Sequence, residues 1–193
     1  MAKLNTDHRR QGRKGGITLP RILLAGVLLL ARPAGAETLE DAARAMDAGR
    51  HAQAAEWLKP LANDGNAAAQ FRLGSLYYHG QGVPEDEVMA VFWWKKSAAH
   101  GNPDAMFQLA GAYLFGSQAG KFVSDPDREA AIWYFQAASA GHAEAQYHLG
   151  LLFLAGKGVI ENRREAARWF RKAAERDHVE ARKALASMER PRR

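Results

Sequence analysis

Residues 145–159 read Ala-Gln-Tyr-His-Leu-Gly-Leu-Leu-Phe-Leu-Ala-Gly-Lys-Gly-Val and have a near copy at 69–83, and a looser third copy begins at Ala105. Aligning the copies puts Leu73, Leu109 and Leu149 in one column and Gly74, Ala110 and Gly150 in the next. Further columns hold Tyr77, Tyr113 and Phe153, then Gly80, Gly116 and Gly156, then Val83, Val123 and Val159, then Trp93, Trp133 and Trp169. Leu73 and Leu109 lie 36 residues apart and Leu109 and Leu149 lie 40 apart. The middle copy therefore carries four extra residues, between Gly116 and Val123. A period in this range belongs to arrays in which each unit is one helical hairpin that cannot bury its apolar face without neighbours.

Apolar residues recur at helical spacing within each copy, as at Ala69, Leu73, Leu76 and Tyr77, and again at Ala145, Leu149, Leu152 and Phe153. That spacing lines one face of a helix. The pattern predicts nine helices in order: 38–48 and 52–63, 67–79 and 85–100, 103–115 and 126–140, 143–155 and 162–176, and a single last helix at 179–189. Pro60 is expected to bend or shorten the second of these. Pro103 and Pro126 suit a first helical turn, and Gly65, Gly101 and Gly141 sit where helices end in a left-handed residue. Gly74 and Gly150 fall where the two helices of a hairpin would cross closely, with the Trp of the second helix filling the core side. The chain divides into 1–36, a degenerate hairpin at 37–65, units at 66–101, 102–141 and 142–178, and a capping helix with a basic tail at 179–193.

The first unit combines Ala69, Leu73, Gly74, Tyr77, Gly80, Gly82 and Val83 with Ala90, Trp93, Trp94, Ala98, Ala99 and Gly101. The third repeats the pattern, with Phe153 for the tyrosine and Asp177 for the closing glycine, and the middle unit departs most. Over about 66–178 this pattern resembles the Sel-1-like repeat family, relatives of the tetratricopeptide repeats. The resemblance implies an all-α, right-handed α/α solenoid that acts as an adaptor or scaffold for protein partners. Some exported members of that family are linked to hydrolysis of cell-wall or β-lactam substrates. They typically carry paired cysteines in each repeat, and this chain has no cysteine, which argues against a β-lactamase-like hydrolase. A purely structural spacer is the third reading.

The N-terminus has the order of a secretory signal peptide: a basic segment with Arg9, Arg10, Arg13, Lys14 and Arg21, an apolar run at 22–31, then Ala34-Gly35-Ala36. The apolar run is half the roughly 20 residues that a spanning helix needs. Cleavage near Ala36 and export to the periplasm or medium are expected. Residues 1–36 hold seven Lys or Arg and one Asp, so the remainder has 20 basic and 20 acidic side chains. This balance removes the argument for nucleic acid that the net charge of +6 suggests. Residues 157–193 nonetheless hold 12 basic and 6 acidic side chains. That basic end suits peripheral contact with a membrane surface or an acidic partner, against the alternative of a solvated cap.

No chemistry-bearing motif emerges. Gly80-Gln81-Gly82 and Gly156-Lys157-Gly158 follow helices, not strands, and read as tight turns with positive φ instead of phosphate loops. His51, His79, His100, His142, His148 and His178 show no spacing that puts two metal ligands on one helical face, and His100, His142 and His178 read as turn or capping residues. No serine stands in a nucleophile elbow. No catalytic residue, metal or cofactor is therefore assigned.

The remaining candidate is a surface. First helices line the concave face in related repeats, which makes Phe71, Phe107 and Tyr147 one stripe and Arg72, Gln108 and His148 the next. Together they suit an extended peptide or a partner's helix; packing between repeats is the alternative for the aromatics. The second stripe differs from unit to unit, which is how an array acquires specificity. The inserted turn, with Lys121 and Phe122, is the second candidate surface.

Overall fold

The computed structural model describes residues 38–118, 121 and 123–189, with the side chain of Glu189 excepted. The signal-peptide reading of 1–36 and the tail beyond 189 lie outside the described residues. Among those described, the regular structure is nine α-helices: α1 (Leu39–Asp47), α2 (His51–Asn63), α3 (Ala67–His79), α4 (Glu87–Ala99), α5 (Pro103–Phe115), α6 (Pro126–Ser139), α7 (Ala143–Ala155), α8 (Arg163–Ala174) and α9 (Val179–Glu189). Every extensive helix–helix contact joins consecutive helices. Such one-dimensional contact is the mark of a solenoid.

Caps fix the boundaries. Thr38 and Asp41 form a reciprocal capping box at α1. Asn66, Asn102, His142 and His178 cap the first helices α3, α5, α7 and α9, and Asp86, Asp125 and Asn162 cap the second helices. Each side chain satisfies amides that the first turn leaves free. The cap at Asp86 explains why α4 begins two residues later than the periodicity predicts. α2 runs through Pro60 to Asn63, so this proline does not shorten it.

The predicted turn glycines are left-handed: φ is +90° at Gly65, +81° at Gly101 and +92° at Gly141. Asp177 takes the same role without being glycine, at φ +64°. Gly80 and Gly156 close α3 and α7 in the left-handed region. Gly116 differs from its two counterparts, with extended backbone at φ −69°, ψ 150°. It is needed there for space: a Cβ would stand 2.1 Å from the Glu87 carboxylate and 2.2 Å from the Ala112 carbonyl oxygen.

Gly74 and Gly150 face the aromatic after the Trp, not the Trp itself. A Cβ on Gly74 would lie 2.6 Å from Trp94, and one on Gly150 would lie 2.5 Å from Phe170. Trp94, Tyr134 and Phe170 are the largest fully buried side chains. Trp93 and Trp169 are buried as well, and Trp133 is half-buried. Trp94 also donates its indole N–H to the Phe71 carbonyl at 3.2 Å.

Neighbouring units are keyed by polar bonds. Gln70 donates to the Ala62 carbonyl at 2.9 Å and Gln146 to the Ala138 carbonyl at 3.0 Å. The middle unit has Met106 in that column. Its junction is held instead by Glu87, whose carboxylate accepts from the Ser117 backbone N–H, the Ser117 hydroxyl and the Gln118 N–H at 2.9–3.0 Å.

Candidate functional site

The six groove residues are all half-buried at equivalent positions of α3, α5 and α7. The columns were legible because one helical register repeats three times. Their contacts are unequal. Phe107 stacks on His142 of the next unit at a centroid distance of 4.7 Å and leans on Tyr134 at 5.7 Å. Tyr147 stacks on His178 at 4.7 Å and meets Phe170 at 5.6 Å. These two rings bridge consecutive units, which is the packing role. Phe71 is packed partly buried against the core.

The polar stripe divides as well. Arg72 donates from Nη1 to the Leu39 carbonyl at 3.1 Å, so it ties α3 to the first turn of α1. His148 lies nearly parallel to the Tyr134 ring, at 5.2 Å and 6°, with its Nε2 3.4 Å from Glu144. No side-chain hydrogen bond is found for Gln108 among the described residues. Lys121 is exposed, and Phe122 lies outside the described residues.

Around this face stand groups that sequence reading treated only as caps. The amide of Ala145 donates to Nδ1 of His142, so the ring proton sits on Nε2, 3.3 Å from Asp104. The amide of Ala181 donates to Nδ1 of His178, whose Nε2 lies 2.9 Å from Glu144. Glu144 thus stands between His148 and His178, on a surface already lined by Phe107 and Tyr147. Burial pushes the Tyr134 hydroxyl up to about 12, with Glu144 adding to the shift. Burial also holds His142 and His148 below the usual histidine range, outweighing the carboxylates that raise them.

Those two depressed histidines make stability pH-dependent. The unfolded chain binds their protons from about pH 6.5 downward, before the folded chain does. Their contribution is therefore complete above about pH 6.5 and is lost as the pH falls toward the folded-state values. Thermal melts at pH 7.5 and 5.5 should show a lower Tm at the acidic value. His142→Asn with His148→Gln should flatten that difference, since Asn66 and Asn102 cap equivalent helices without titrating. An unchanged pH slope in the double variant would assign the effect elsewhere.

A second surface escaped the sequence reading. Ile132 and Phe135 on α6 are exposed and line an apolar cleft of about 470 Å³ closed by Leu149, Phe153 and Val159. The signal was available: the third unit has Arg168 and Arg171 in those columns.

The stacked hairpins define an α/α solenoid, a class whose units bury their apolar faces only against each other. The sequence matches the family described as Sel1 repeat at residues 67–102, 103–142 and 143–178. The chain belongs to the Sel1 repeat family. A Sel1 repeat protein from Oxalobacter formigenes is 30% identical, with a TM-score of 0.63, over 72% of this chain and 39% of that one. A protective antigen of uropathogenic Escherichia coli, c5321, described as displaying an SLR fold, is 28% identical, with a TM-score of 0.66, over 72% of this chain and 29% of that one. Helicobacter pylori cysteine rich protein B shares the fold at 22% identity and a TM-score of 0.50, over 78% of this chain and all of that one. The chain spans well under half the length of the first two. No curated protein matches in sequence. Repeats of this family typically mediate protein–protein interaction.

Proposed function

We propose that this chain is an exported interaction module that binds a peptide or partner protein through the face formed by Phe71, Arg72, Phe107, Gln108, Tyr147 and His148, and that it works by binding, without catalysis. The observation that carries the reading is the second stripe. Its three positions are spatially equivalent and half-buried, yet hold three different polar side chains, while the columns beside it are nearly uniform. Packing explains the uniform columns; in this one it accounts for Arg72, held by the Leu39 carbonyl, and for His148, set against Tyr134, and leaves Gln108 without a structural role among the described residues. Gln108 has amide donors and an acceptor to offer, and the edges of Phe107 and Tyr147 supply apolar contact on either side. Export rests on the order of basic, apolar and small residues in 1–36.

A photo-crosslinking residue at position 108 of the full chain, in cells that export it, tests this face. A discrete adduct should form there and be absent when the probe stands at Glu56, exposed on α2. Gln108→Ala with His148→Ala should weaken the adduct formed from a probe at position 104. Arg72 is left in place because it holds α1. Identical adducts from 108 and 56, or none from 108, would reject the face.

A further inference from the structure

α9 repeats the pattern of a first helix. His178 caps it as His142 caps α7, and Ala181, Leu185, Ala186 and Met188 fall in the columns of Ala145, Leu149, Gly150 and Leu152. In the three complete units these columns are closed by the following turn and second helix. Leu73, Leu109 and Leu149 are buried, as are Leu76, Ala112 and Leu152. Gly74, Ala110 and Gly150 are buried too. In α9 the same columns are open: Leu185 and Met188 are only half-buried and Ala186 is exposed. On the opposing helix, Ala167 is half-buried where Val91 and Ala131 are buried. Between α8 and α9 lies a cleft of about 410 Å³, floored by Ala167, Leu185 and Met188 and rimmed by Arg163, Arg164 and Arg171.

We propose that this cleft is the docking seat for an acidic amphipathic helix of another protein, which completes the unfinished hairpin from outside. This surface is separate from the one under Proposed function. The occupant's shape is given by the helices that fill the same seat within the chain: 12–14 residues long, with a large aromatic such as Trp94, Tyr134 or Phe170 set over the small residue of the first helix. Its charge is given by the rim. Arg163 is partly engaged with the Met188 carbonyl at 3.5 Å, and Glu165 is taken by Arg168 at 3.5 Å. Arg164 and Arg171 have no ion pair among the described residues. They stand seven residues apart on α8, about 10 Å along its axis. The occupant therefore carries carboxylates about two turns apart, on either side of its aromatic anchor. Helix-in-groove docking of this kind uses apolar anchors for affinity and rim charges for choice of partner.

The probe is a fluorescein-labelled peptide with the sequence of residues 126–139 carrying Arg128→Glu and Gln136→Glu, so that carboxylates stand at positions 129 and 136, seven residues apart on either side of Tyr134; it is titrated with the full chain and followed by anisotropy. Saturable binding is expected. It should weaken about tenfold or more when the peptide's Tyr134 is changed to Ala, and similarly with Ala186→Trp in the protein, which fills the seat at an exposed position. Arg164→Glu with Arg171→Glu, both exposed, should produce the same loss and remove the salt dependence, so the proposal stays testable if Ala186→Trp fails to fold. Three results overturn it: no binding of the peptide, binding indifferent to these changes, or tight binding of the basic end to phosphatidylglycerol vesicles with the peptide ignored. Self-association abolished by Ala186→Trp would overturn it too, by assigning the seat to a second copy.

Discussion

Trp94→Ala should destabilise the array by about 3–5 kcal/mol, the largest loss expected of a single truncation in this chain. The indole is 1% exposed, belongs to the core cluster that runs through all three units, and gives its N–H to the Phe71 carbonyl. It also occupies the space that Gly74 leaves, so no neighbouring side chain stands ready to close the hole. In a chain of this length the loss corresponds to a fall in Tm of about 6–20 °C. The variant's thermal melt followed by circular dichroism is the measurement. A fall of less than about 2 °C would mean that the α3–α4 crossing does not depend on this ring.

Gly158→Ala is the second large effect, and here backbone and packing act together. Gly158 is left-handed at φ +70°, and a Cβ there would stand 2.1 Å from the Asp127 carbonyl oxygen and 2.4 Å from its carbon, at the start of α6. Left-handed strain costs about 1–2 kcal/mol, and forcing the turn of the third unit off α6 adds about 1–3 kcal/mol of overpacking. Gly101→Ala separates the two terms. Gly101 is also left-handed, at φ +81°, but nothing lies within 4 Å of its would-be Cβ. It should show the strain alone. Equal losses for both variants in urea melts would show that the close approach to α6 contributes nothing.

Much of this was legible because a repeat array reports each of its structural positions several times. Three aligned copies gave the helices to within two residues, the left-handed glycines and the capping role of His142 and His178. The rest depends on what the folded chain brings together. Trp93 and Trp94 are both aromatic and adjacent, so helical spacing alone did not show which one meets Gly74. Arg72 read as a free groove residue because its acceptor, Leu39, is 33 residues away and becomes a neighbour only once α1 docks. Glu87 carried no signal in the sequence, because the Ser117 and Gln118 donors that converge on it lie about 30 residues further on. Ile132 and Phe135 lie on a second helix, off the first-helix face where the resemblance places a groove, although their departure from Arg168 and Arg171 was in plain view.

The two ways of joining neighbours, a glutamine in α3 and α7 and a carboxylate under the inserted turn, also bear on the history open to such a chain. Duplicated units are commonly pictured as interchangeable beads. Here the unit at 102–141 can follow only a helix that begins with a suitably placed acid. The residues in the column of Glu87 are His51, Asp127 and Arg163. Moved behind α8 by recombination, this unit would set Arg163 against the amides of Ser117 and Gln118, leaving donors facing a cation. That one junction thus constrains the order of the units, and a shuffled gene would have to place an acid in the column of Arg163 before the unit at 102–141 could stack behind α8 as it does behind α4.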